Sequence, residues 1–472
     1  MKSYDHFYAD GKFQPCRGAG SMPVVDPSTG RSVGQVVPCS EDDVERALAS
    51  ARKGFAQWGH SGIEARRVVL SRLHAELGKR AEPLAQSLAT EMGCPIWLGR
   101  LMQVPMPLKG IEFAIAGLDQ VQWQETIGNG LVERVPAGVV AAITPWNFPV
   151  HQIVAKVAAA IAAGCSVVLK PSEISPGAAE LFMQAVEASG LPPGVVNLVW
   201  GGPNVGQQLV THPSVDRISF TGSTAVGQRI MAAASERLTP VTLELGGKSA
   251  AVLLDDADLD AAIPAVVRLS MANSGQACVS QSRLIAPSHL IPAIVERFEA
   301  AVAAWPVGNP SSEATRLGPV ATSGQHRNVV RMIERAKQEG AALRIGSAAP
   351  IDGTEGFYVA PTLFSGVLPQ MEIAQKEVFG PVLAVMSYGS EEEAAELANS
   401  TRYGLSGAVW SKDALRATQF ARRLNTGQVV INGAAQNLAT PFGGWGASGF
   451  GRENGRFGIE DLLNYRSLHG AA

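Results

Sequence analysis

Apolar residues follow a helical spacing in the first part of the chain. Residues 41–58, 63–92 and 101–118 repeat apolar positions at intervals of three and four residues, which predicts three helices. Ser40 precedes an acidic first turn and is typical of a helix N-cap. Residues 1–30 have the pattern of short strands and turns. The opening region is therefore predicted to be mainly helical after a short β segment.

The pattern changes at Val139, where short apolar runs begin to alternate with helical segments. Near-continuous apolar strands joined by helices indicate a parallel sheet covered on both faces, which binds ligands at the carboxyl ends of its strands. A second alternation from about Ser249 predicts a second α/β domain, with the boundary near residues 246–248. The predicted strands are 139–144, 166–169, 195–200, 217–220, 250–254, 283–286, 382–386, 408–410 and 429–432, and the predicted helices between them are 150–164, 176–190, 205–211, 224–236 and 259–274.

A hairpin is predicted between the helical opening and the first strand of the sheet. Residues 121–135 alternate in polarity and carry Gly128-Asn129-Gly130 in the middle, which is typical of two strands joined by a tight turn. Such an arm has little core of its own. It fits either a surface hairpin or a contact between subunits.

Charge is sparse and nearly balanced. The chain has 39 basic and 42 acidic residues, a net charge of −3, and only 17% charged against 46% hydrophobic residues. This balance argues against a nucleic-acid partner, because proteins that bind phosphate backbones carry a basic excess. A chain so poor in charge must bury much of itself, in a large core or against other subunits. Its 472 residues predict two or three domains.

The sequence predicts neither a membrane segment nor a disulfide framework. The longest apolar stretch, residues 157–169, is shorter than the roughly 20 residues that cross a bilayer. The N-terminus has no apolar core of a secretory signal. Five scattered cysteines form neither a disulfide pattern nor a zinc motif, so we expect no metal and a reduced, cytoplasmic protein. The cysteines are Cys16, Cys39, Cys94, Cys165 and Cys278.

The carboxyl ends of the predicted strands carry residues suited to a dinucleotide. Gly222-Ser223 lies between a strand and a helix, where backbone N–H groups can bind a phosphate, although the same residues fit an ordinary strand-to-helix turn. Lys170 and Glu173 follow a neighbouring strand, and an acidic side chain there suits ribose hydroxyls and repels a 2′-phosphate. NAD is therefore favoured over NADP, with Lys170 as the opposing argument.

Three further residues are candidates for the chemistry. Cys278 follows a Gly275-Gln276 turn that favours an exposed, positioned thiol, whereas most free cysteines are inert and buried. Glu244 ends an apolar strand and suits a general base with a pKa raised by burial, unless it forms a structural ion pair with Lys248. The Asn147 side chain could stabilise an oxyanion or simply close a turn.

Taken together, these segments resemble the NAD(P)-dependent aldehyde dehydrogenase superfamily. Seven motifs occur in the family's order between about residues 130 and 460. They are Thr144-Pro145-Trp146-Asn147-Phe148-Pro149, Lys170-Pro171-Ser172-Glu173, Phe220-Thr221-Gly222-Ser223, Leu243-Glu244-Leu245-Gly246-Gly247-Lys248, Gly275-Gln276-Ala277-Cys278, Glu377-Val378-Phe379-Gly380-Pro381 and Pro441-Phe442-Gly443-Gly444.

The resemblance implies a catalytic role for four residues. Cys278 would attack the aldehyde to give a thiohemiacetal, with Asn147 and the Cys278 backbone N–H as the oxyanion hole. Hydride transfer to the nicotinamide would leave a thioester. Glu244 would activate water for hydrolysis to a carboxylic acid, and Glu453 matches a position that relays protons in some members. Relatives that pass the acyl group to coenzyme A lack a glutamate at the position of Glu244. The presence of Glu244 therefore predicts water as the acceptor.

The resemblance also implies a cofactor site and an assembly. Lys170 and Glu173 match adenosine-ribose contacts, Ser223 a pyrophosphate contact, and Glu377 with Phe379 the nicotinamide-ribose side. The remaining cofactor contacts are predicted from the same motifs at Thr144, Trp146, Ser172, Thr221, Gly222 and Leu245. Family members are dimers or tetramers, so a homodimer or homotetramer is expected.

The implied fold is α/β, with two doubly wound parallel-sheet domains and a small β oligomerisation arm. The predicted NAD-binding domain comprises residues 1–116 and 136–247, and the catalytic domain residues 248–440. The arm comprises residues 117–135 and 455–472. These ranges follow the family pattern and the changes in periodicity described above.

The substrate stays open at this point. The run from Val150 to Gln152 departs from the apolar residues usual at the substrate entry, and Gly446 replaces a lysine found in many relatives. His151 fits a packed helix residue or a substrate contact. Residues 150–153 resemble the branch of the family that oxidises oxo-acids and semialdehydes, and the small, mixed residues 434–440 suggest room for a medium or bulky aliphatic or aromatic aldehyde.

Two other function classes compete with this prediction. A non-catalytic member could keep the fold and lose the chemistry, but Cys278, Glu244 and Asn147 are all present. A thiol hydrolase with a Cys–His pair would need a histidine in a partner motif, and it would leave Lys170 and Glu173 without a role.

Overall fold

The computed structural model describes residues 1–470. The chain folds into two large, mostly parallel sheets and smaller β elements. Its strands in chain order are β1 (Lys2–Tyr4), β2 (His6–Ala9), β3 (Lys12–Pro15), β4 (Met22–Asp26), β5 (Arg31–Val36), β6 (Gln124–Ile127), β7 (Gly130–Pro136), β8 (Val139–Ile143), β9 (Ser166–Lys170), β10 (Val196–Leu198), β11 (Arg217–Thr221), β12 (Val241–Glu244), β13 (Ala250–Leu253), β14 (Arg283–Pro287), β15 (Ala342–Ile345), β16 (Thr362–Ser365), β17 (Val382–Tyr388), β18 (Tyr403–Gly404), β19 (Ser406–Trp410), β20 (Gln428–Ile431), β21 (Trp445–Gly446), β22 (Gly449–Phe450) and β23 (Leu463–His469).

The helices lie between these strands and cover the sheets. A π-helical turn spans Gly99–Gln103, and 3₁₀ turns span Ala272–Gly275 and Ser288–Leu290. The α-helices are α1 (Glu41–Trp58), α2 (Ile63–Gly78), α3 (Ala81–Met92), α4 (Ile96–Leu98), α5 (Pro105–Gln120), α6 (Pro149–Ala163), α7 (Pro176–Ala188), α8 (Pro203–Thr211), α9 (Thr224–Ser235), α10 (Leu259–Met271), α11 (Ile291–Ala303), α12 (Ser323–Gln338), α13 (Glu372–Gln375), α14 (Glu391–Ala398), α15 (Ala414–Ala421) and α16 (Gly455–Glu460).

The first large sheet places the ends of five parallel strands side by side. Its order is β22-β12-β11-β8-β9-β10-β2-β3, and β12, β11, β8, β9 and β10 run parallel. Every residue of β8 and β9 is buried, as expected for strands covered by helices on both faces. Thr221 pairs with Glu244, and Ile143 pairs with Lys170. The predicted ligand-binding ends therefore meet along one edge of the sheet.

The second large sheet has the order β15-β16-β17-β14-β13-β19-β20, parallel except for the β15–β16 pair. Buried apolar side chains form one cluster on each of its faces, separate from the core of the first sheet. The expected α/β fold with two doubly wound sheets is confirmed. Antiparallel strands at the edges of both sheets were not part of that prediction.

The remaining strands form small sheets. β6, β7 and β23 form an antiparallel sheet that contains the hairpin predicted at Gly128–Gly130. Of the predicted arm, residues 455–460 form α16, which packs on α5 and α6. Residues 471 and 472 of that predicted range lie outside the described residues. Strands β1, β5 and β4 form another three-stranded sheet.

Three predicted helices differ from the structure. The helix predicted over residues 101–118 is replaced by the end of the π-helical turn and by α5, which begins at Pro105 and ends at Gln120. The helix predicted over residues 63–92 is divided into α2 and α3, because Pro83 lacks the N–H needed to continue the hydrogen-bond ladder and its ring clashes with the carbonyl four residues earlier. The helix predicted over residues 259–274 ends at Met271, where the chain enters a left-handed turn. Among residues 1–470, no helix combines the length and the apolar character needed to span a bilayer.

Candidate active site

Asn147 lies between β8 and α6, and hydrogen bonds fix both its backbone and its side chain. It is only 5% exposed. Its carbonyl oxygen accepts hydrogen bonds from the side-chain amides of Gln103 (3.1 Å) and Asn273 (2.9 Å). Its Nδ2 donates to the backbone carbonyl of Gln276 (3.1 Å). One Nδ2 hydrogen is thereby used to fix the side chain, and the second is left for a ligand.

The loop that carries Cys278 has an unusual backbone. Asn273, Ser274 and Gly275 have φ angles of 54°, 55° and 72°, three successive residues in the left-handed region. A Cβ on Gly275 would come within 2.1 Å of the Gly380 carbonyl oxygen, so only glycine fits there. The Gln276 side chain closes this turn by donating to the Asn273 carbonyl (2.9 Å). The turn fixes the direction in which the chain reaches Cys278.

Cys278 lies in the cleft between the two large sheets. Its side chain is partly exposed, and its carbonyl oxygen lies so close to Gly247 that a Cβ there would be 2.7 Å away. Burial, together with the negative charges of Glu377 and Glu244, raises the pKa of the Cys278 thiol to about 12. The thiol is therefore protonated at neutral pH. A positive charge beside the sulphur or a proton acceptor is needed to activate it.

Glu244 ends β12 as a buried carboxylate that has no partner. It is 2% exposed, and neither of its oxygens has a hydrogen-bond partner among the described residues. Burial and the neighbouring Glu453 raise its pKa well above the usual value, against the opposing charges of Lys156 and Arg452. A carboxylate in this state is a stronger base than an exposed one. The alternative of an ion pair with Lys248 is wrong, because within residues 1–470 the Lys248 amine has no hydrogen-bond partner either.

Behind Glu244, Glu453 is part of a buried ionic cluster. Its carboxylate pairs with the Lys156 ammonium from α6. The same ammonium donates to the Thr221 hydroxyl (2.7 Å), and Thr221 is the β11 partner of Glu244. The cluster thus places the Glu453–Lys156 ion pair beside the unpaired Glu244 carboxylate. This arrangement suits the transfer of a proton between the two carboxylates.

A cleft of about 830 Å³ brings most of the predicted site together. It is lined by Cys278 and Asn147 and by seven of the residues predicted to contact the cofactor, namely Trp146, Thr221, Gly222, Ser223, Leu245, Glu377 and Phe379. The rings of Trp146 and Phe379 meet edge to face at 5.6 Å. Glu244 and Glu453 lie behind this lining and do not form part of it.

The other four predicted cofactor residues lie at neighbouring strand ends outside that lining. Lys170 is buried, with its ammonium 4.0 Å from the Glu173 carboxylate and 3.3 Å from the Pro171 carbonyl. Burial lowers the pKa of Lys170, and Glu173 opposes this. The Ser172 hydroxyl accepts from the Ile174 backbone N–H (3.3 Å). The Thr144 hydroxyl is buried without a partner.

The residues around the start of α9 and around Glu377 suit a phosphate and a sugar. Ser223 is the N-cap of α9, whose first N–H groups face the cleft end of the sheet. A Cβ on Gly246 would lie 2.3 Å from a Glu377 carboxylate oxygen. Glu377 accepts from the Gly247 N–H (3.3 Å), and burial raises its pKa to about 7. The absence of a side chain at Gly246 thus lets the half-buried Glu377 carboxylate pack against the backbone at the cleft.

Residues 13–468 match the sequence profile of the aldehyde dehydrogenase family. The chain belongs to the aldehyde dehydrogenase family. The resemblance expected from the seven motifs is thereby confirmed. The match spans both large sheets and the small β6–β7–β23 sheet.

Relatives are similar over nearly the full length. A 3-succinoylsemialdehyde-pyridine dehydrogenase of Pseudomonas sp is 41% identical over 100% of this chain and 99% of its own. The geranial dehydrogenase of Castellaniella defragrans is 38% identical over 99% and 98%. The crystal structure of a cysteine-to-alanine variant of aldehyde dehydrogenase C from Pseudomonas syringae, in complex with NAD+ and octanal, has a TM-score of 0.98 and 42% identity over 99% and 97%.

Several residues of this aldehyde dehydrogenase site were not found from its sequence. Lys156 sits in an Ala-rich helical segment that the sequence predicts as core, and the signal for it was its charge among apolar neighbours. The amides that support the Asn147 and Cys278 loops come from distant segments and carry no local motif. The supporting amides are Gln103 and Asn273, and the other unpredicted cleft residues include Gln325 and Asn328.

Proposed function

We propose that this protein oxidises an aldehyde to a carboxylic acid with NAD+ as hydride acceptor. The observation that carries the proposal is the grouping of Cys278 and Asn147 in one cleft, with the unpaired Glu244 carboxylate behind them. The relatives named above are aldehyde dehydrogenases, and one was crystallised with NAD+ and an aldehyde. Fold, family and site chemistry therefore support the same reaction class.

In the first half-reaction the Cys278 thiol gives up its proton to solvent, its sulphur bonds to the aldehyde carbon, and the carbonyl oxygen becomes an oxyanion. The free Asn147 Nδ2 hydrogen and the Cys278 backbone N–H are the donors that would stabilise this charge. Loss of hydride from the same carbon leaves a thioester on Cys278. When bound, NAD+ supplies the hydride acceptor, and its positive nicotinamide ring favours the thiolate.

In the second half-reaction water hydrolyses the thioester. Glu244 takes a proton from the water as its oxygen bonds to the acyl carbon, and the Cys278 sulphur leaves. The products are the carboxylic acid and the free thiol. Glu453, paired with Lys156, is the next carboxylate to which Glu244 can pass the proton. Coenzyme A is not expected to act as acceptor, because Glu244 favours hydrolysis.

The cofactor site fits NAD in its chemistry. The α9 N-terminus at Ser223 suits the pyrophosphate, and Glu377 suits ribose hydroxyls. Glu173 beside Lys170 would hold the second ribose. Of these two side chains, the Glu173 carboxylate repels a 2′-phosphate and Lys170 attracts it, so NADP is expected to be a weaker alternative.

Replacing Glu173 with glutamine should raise activity with NADP relative to NAD by about tenfold, because a like charge beside the 2′-phosphate is removed. Lys170 would remain to attract that phosphate. The measurement is the ratio of kcat/KM for the two cofactors with one aldehyde. A Glu187→Gln variant, changed on the exposed end of α7, serves as the control. An unaltered ratio would remove Glu173 from the cofactor site.

Glu453→Gln should shift the pH dependence of hydrolysis. A base acts when deprotonated, so the rate should rise with pH through the raised pKa of Glu244 and fall below it. The substitution removes a negative charge that raises this pKa and leaves the Lys156 charge unpaired, so the pKa of Glu244 drops. The acidic limb of the kcat profile should then move to lower pH. The surface control Glu236→Gln should leave the acidic limb where it is. An acidic limb that does not move in Glu453→Gln would contradict the effect of Glu453 on the pKa of Glu244.

The surroundings of α6 suit an uncharged aldehyde. A narrow recess lies between α5, α6 and the loop 434–440. Small side chains line it, and neither it nor the cleft has a lysine or arginine in its lining. Its residues include Gly110, Ala114, His151, Ala155, Ala158 and Leu438. Octanal, geranial and a pyridine semialdehyde, named for the relatives, are aldehydes of this kind.

We further infer a homodimer or homotetramer that works in the cytoplasm. The β6–β7–β23 sheet exposes Ile127, Tyr465 and Leu468, which suits contact with a second copy of the chain. All five cysteines are free thiols, as expected in a reducing compartment. Light scattering of the purified protein would test the assembly, and a monomer would contradict it.

The reaction is tested by mixing the protein with NAD or NADP and a panel of straight-chain, aromatic and ω-carboxylated aldehydes. We expect reduced nicotinamide and the matching acid in equal amounts, with NAD preferred. The uncharged aldehydes should be used best. NADH without acid would contradict hydrolysis, and no NADH with any aldehyde despite NAD binding would favour the non-catalytic alternative.

A further inference from the structure

Cys16 and Cys39 are two thiols in contact at the outer edge of the first sheet. Their Sγ atoms lie 3.7 Å apart, and both cysteines are free. Cys16 directly follows β3, which is the edge strand, and Cys39 directly precedes Ser40, the N-cap of α1. This edge is the one opposite to β12 and Glu244, and the proposed reaction uses neither thiol.

The backbones that carry the two thiols are held against each other. The Gly18 N–H donates to the Pro38 carbonyl (3.1 Å), and a Cβ on Gly18 would lie 2.3 Å from that oxygen, so the close approach requires glycine. One oxygen of the buried Asp43 carboxylate accepts from the backbone N–H groups of Arg17 (2.7 Å) and Ser40 (3.0 Å). These are the residues that follow the two cysteines. The contact between the sulphurs is therefore supported by the backbone on both sides.

The two thiols differ in their access to solvent. Cys16 is partly exposed, whereas Cys39 is only 6% exposed, and its Sγ accepts from the Trp200 backbone N–H (3.3 Å). A disulfide forms readily when an oxidant can reach one thiol and a second thiol lies beside it. Cys16 meets the first condition and Cys39 meets the second. The hydrogen bond with Cys39 and burial raise the pKa of Cys16, so the reaction should be slow at neutral pH and faster in alkali.

We propose that Cys16 and Cys39 form a reversible disulfide that fastens the β2–β3 hairpin to the start of α1. The oxidant is a small organic disulfide, with oxidised glutathione as the probe. The Cys16 thiol gives its proton to solvent, its sulphur bonds to one glutathione sulphur, and the other glutathione leaves as a thiolate. The Cys39 thiol then loses its proton and bonds to the Cys16 sulphur, which releases the second glutathione. The cysteine pair loses two electrons, and the glutathione disulfide gains them.

The hairpin is the part of the first sheet that such a bond would hold in place. Strand β2 joins the sheet through the pairing of Tyr8 with Leu198 of β10, and β3 pairs with β2 at the edge. A cross-link to α1 restricts the states that the opened hairpin can reach, and so makes opening less favourable. The backbone amides of β2 and β3 should therefore exchange their hydrogens more slowly in the oxidised protein.

The test treats the wild type with oxidised glutathione at about pH 9, above the ordinary thiol pKa of roughly 8.5. Free thiols are then blocked with iodoacetamide, and the protein is digested with trypsin. We expect a cross-link between the tryptic peptides 13–17 and 32–46, which carry the two cysteines, and dithiothreitol should remove it. Cys278→Ala is oxidised in parallel, because it lacks the other partly exposed thiol. Its intact mass should fall by two hydrogens, and exchange of the β2 and β3 amides should slow by at least about tenfold.

Two serine variants separate the steps of the reaction. Cys39→Ser should keep one glutathione on Cys16, because no second thiol can displace it. Cys16→Ser should form no cross-link, and oxidation should not change the exchange of its hairpin amides. Cys94 and Cys165 are fully buried and should stay reduced in every protein. NAD binding verifies that each variant is folded.

Three results would overturn the proposal. The first is a folded wild type that gives no cross-link between peptides 13–17 and 32–46. The second is a cross-link that joins two chains or appears only after unfolding in urea. The third is a cross-linked protein whose β2 and β3 amides exchange as fast as before. Each result would leave the proposed aldehyde oxidation standing, because none of these measurements uses an aldehyde.

Discussion

Cys278→Ala should lower kcat/KM for aldehyde oxidation by at least about 10⁴-fold, because the substitution removes the atom that forms the covalent intermediate. Alanine fits the space of the thiol, and the loop is held by Gly275 and Gln276 rather than by the sulphur. NAD binding should therefore persist. Rapid mixing with NAD and aldehyde should give no burst of NADH.

The matched control is Cys16→Ala. This thiol is partly exposed and contacts only Cys39 among the cysteines (Sγ–Sγ 3.7 Å), at the opposite edge of the first sheet from β12. Its loss should leave turnover near that of the wild type. Unchanged activity in Cys278→Ala would assign the nucleophile elsewhere. If the wild type and Cys278→Ala are both inactive while both still bind NAD, the non-catalytic alternative would be supported.

Glu244→Gln should separate the two half-reactions. Glutamine keeps the size of the side chain but cannot accept the proton of the attacking water, so steady-state kcat should fall by about 10²–10³-fold. Acylation does not require this proton transfer, so one equivalent of NADH per subunit should form quickly before turnover stalls. The acyl-enzyme should then be visible by mass spectrometry of the intact chain.

A surface change of the same type, Glu334→Gln on α12, provides the comparison. It breaks an exposed ion pair with Lys337, which contributes little to stability. Full steady-state turnover in Glu244→Gln would refute the assignment of this residue as the base. A lost burst with retained NAD binding would place Glu244 in the first half-reaction instead.

The sequence predicts the parts of the fold that repeat a simple pattern. Strands β8 and β9 are nearly continuous apolar runs, and the location of the site after the strands follows from the rule that parallel sheets bind ligands at their carboxyl ends. The prediction was weaker where one residue overrides a pattern. Pro83 divides a periodic stretch into α2 and α3, although the apolar spacing continues through it.

The same contrast holds for the site, where some residues are predicted from local motifs and others are not. Cys278, Glu244 and Asn147 each stand in a local motif, so their neighbours along the chain mark them. Lys156 carries no such mark, because its partner Glu453 is 297 positions away and lies just before α16, which packs on α6. The pKa of Glu244 depends on that encounter. Local sequence therefore identifies the reacting groups better than it identifies what tunes them.

The two sides of helix α6 contact different parts of the molecule. Gln152 and Lys156 lie on the side toward the cleft and Glu453, and His151, Ala155 and Ala158 face α5. Substitutions on the second side can reshape the space for a tail without touching the ion pair that tunes the base. Natural variation or a directed-evolution library confined to the side that faces α5 could therefore change the substrate range. The groups that hydrolyse the thioester would stay the same.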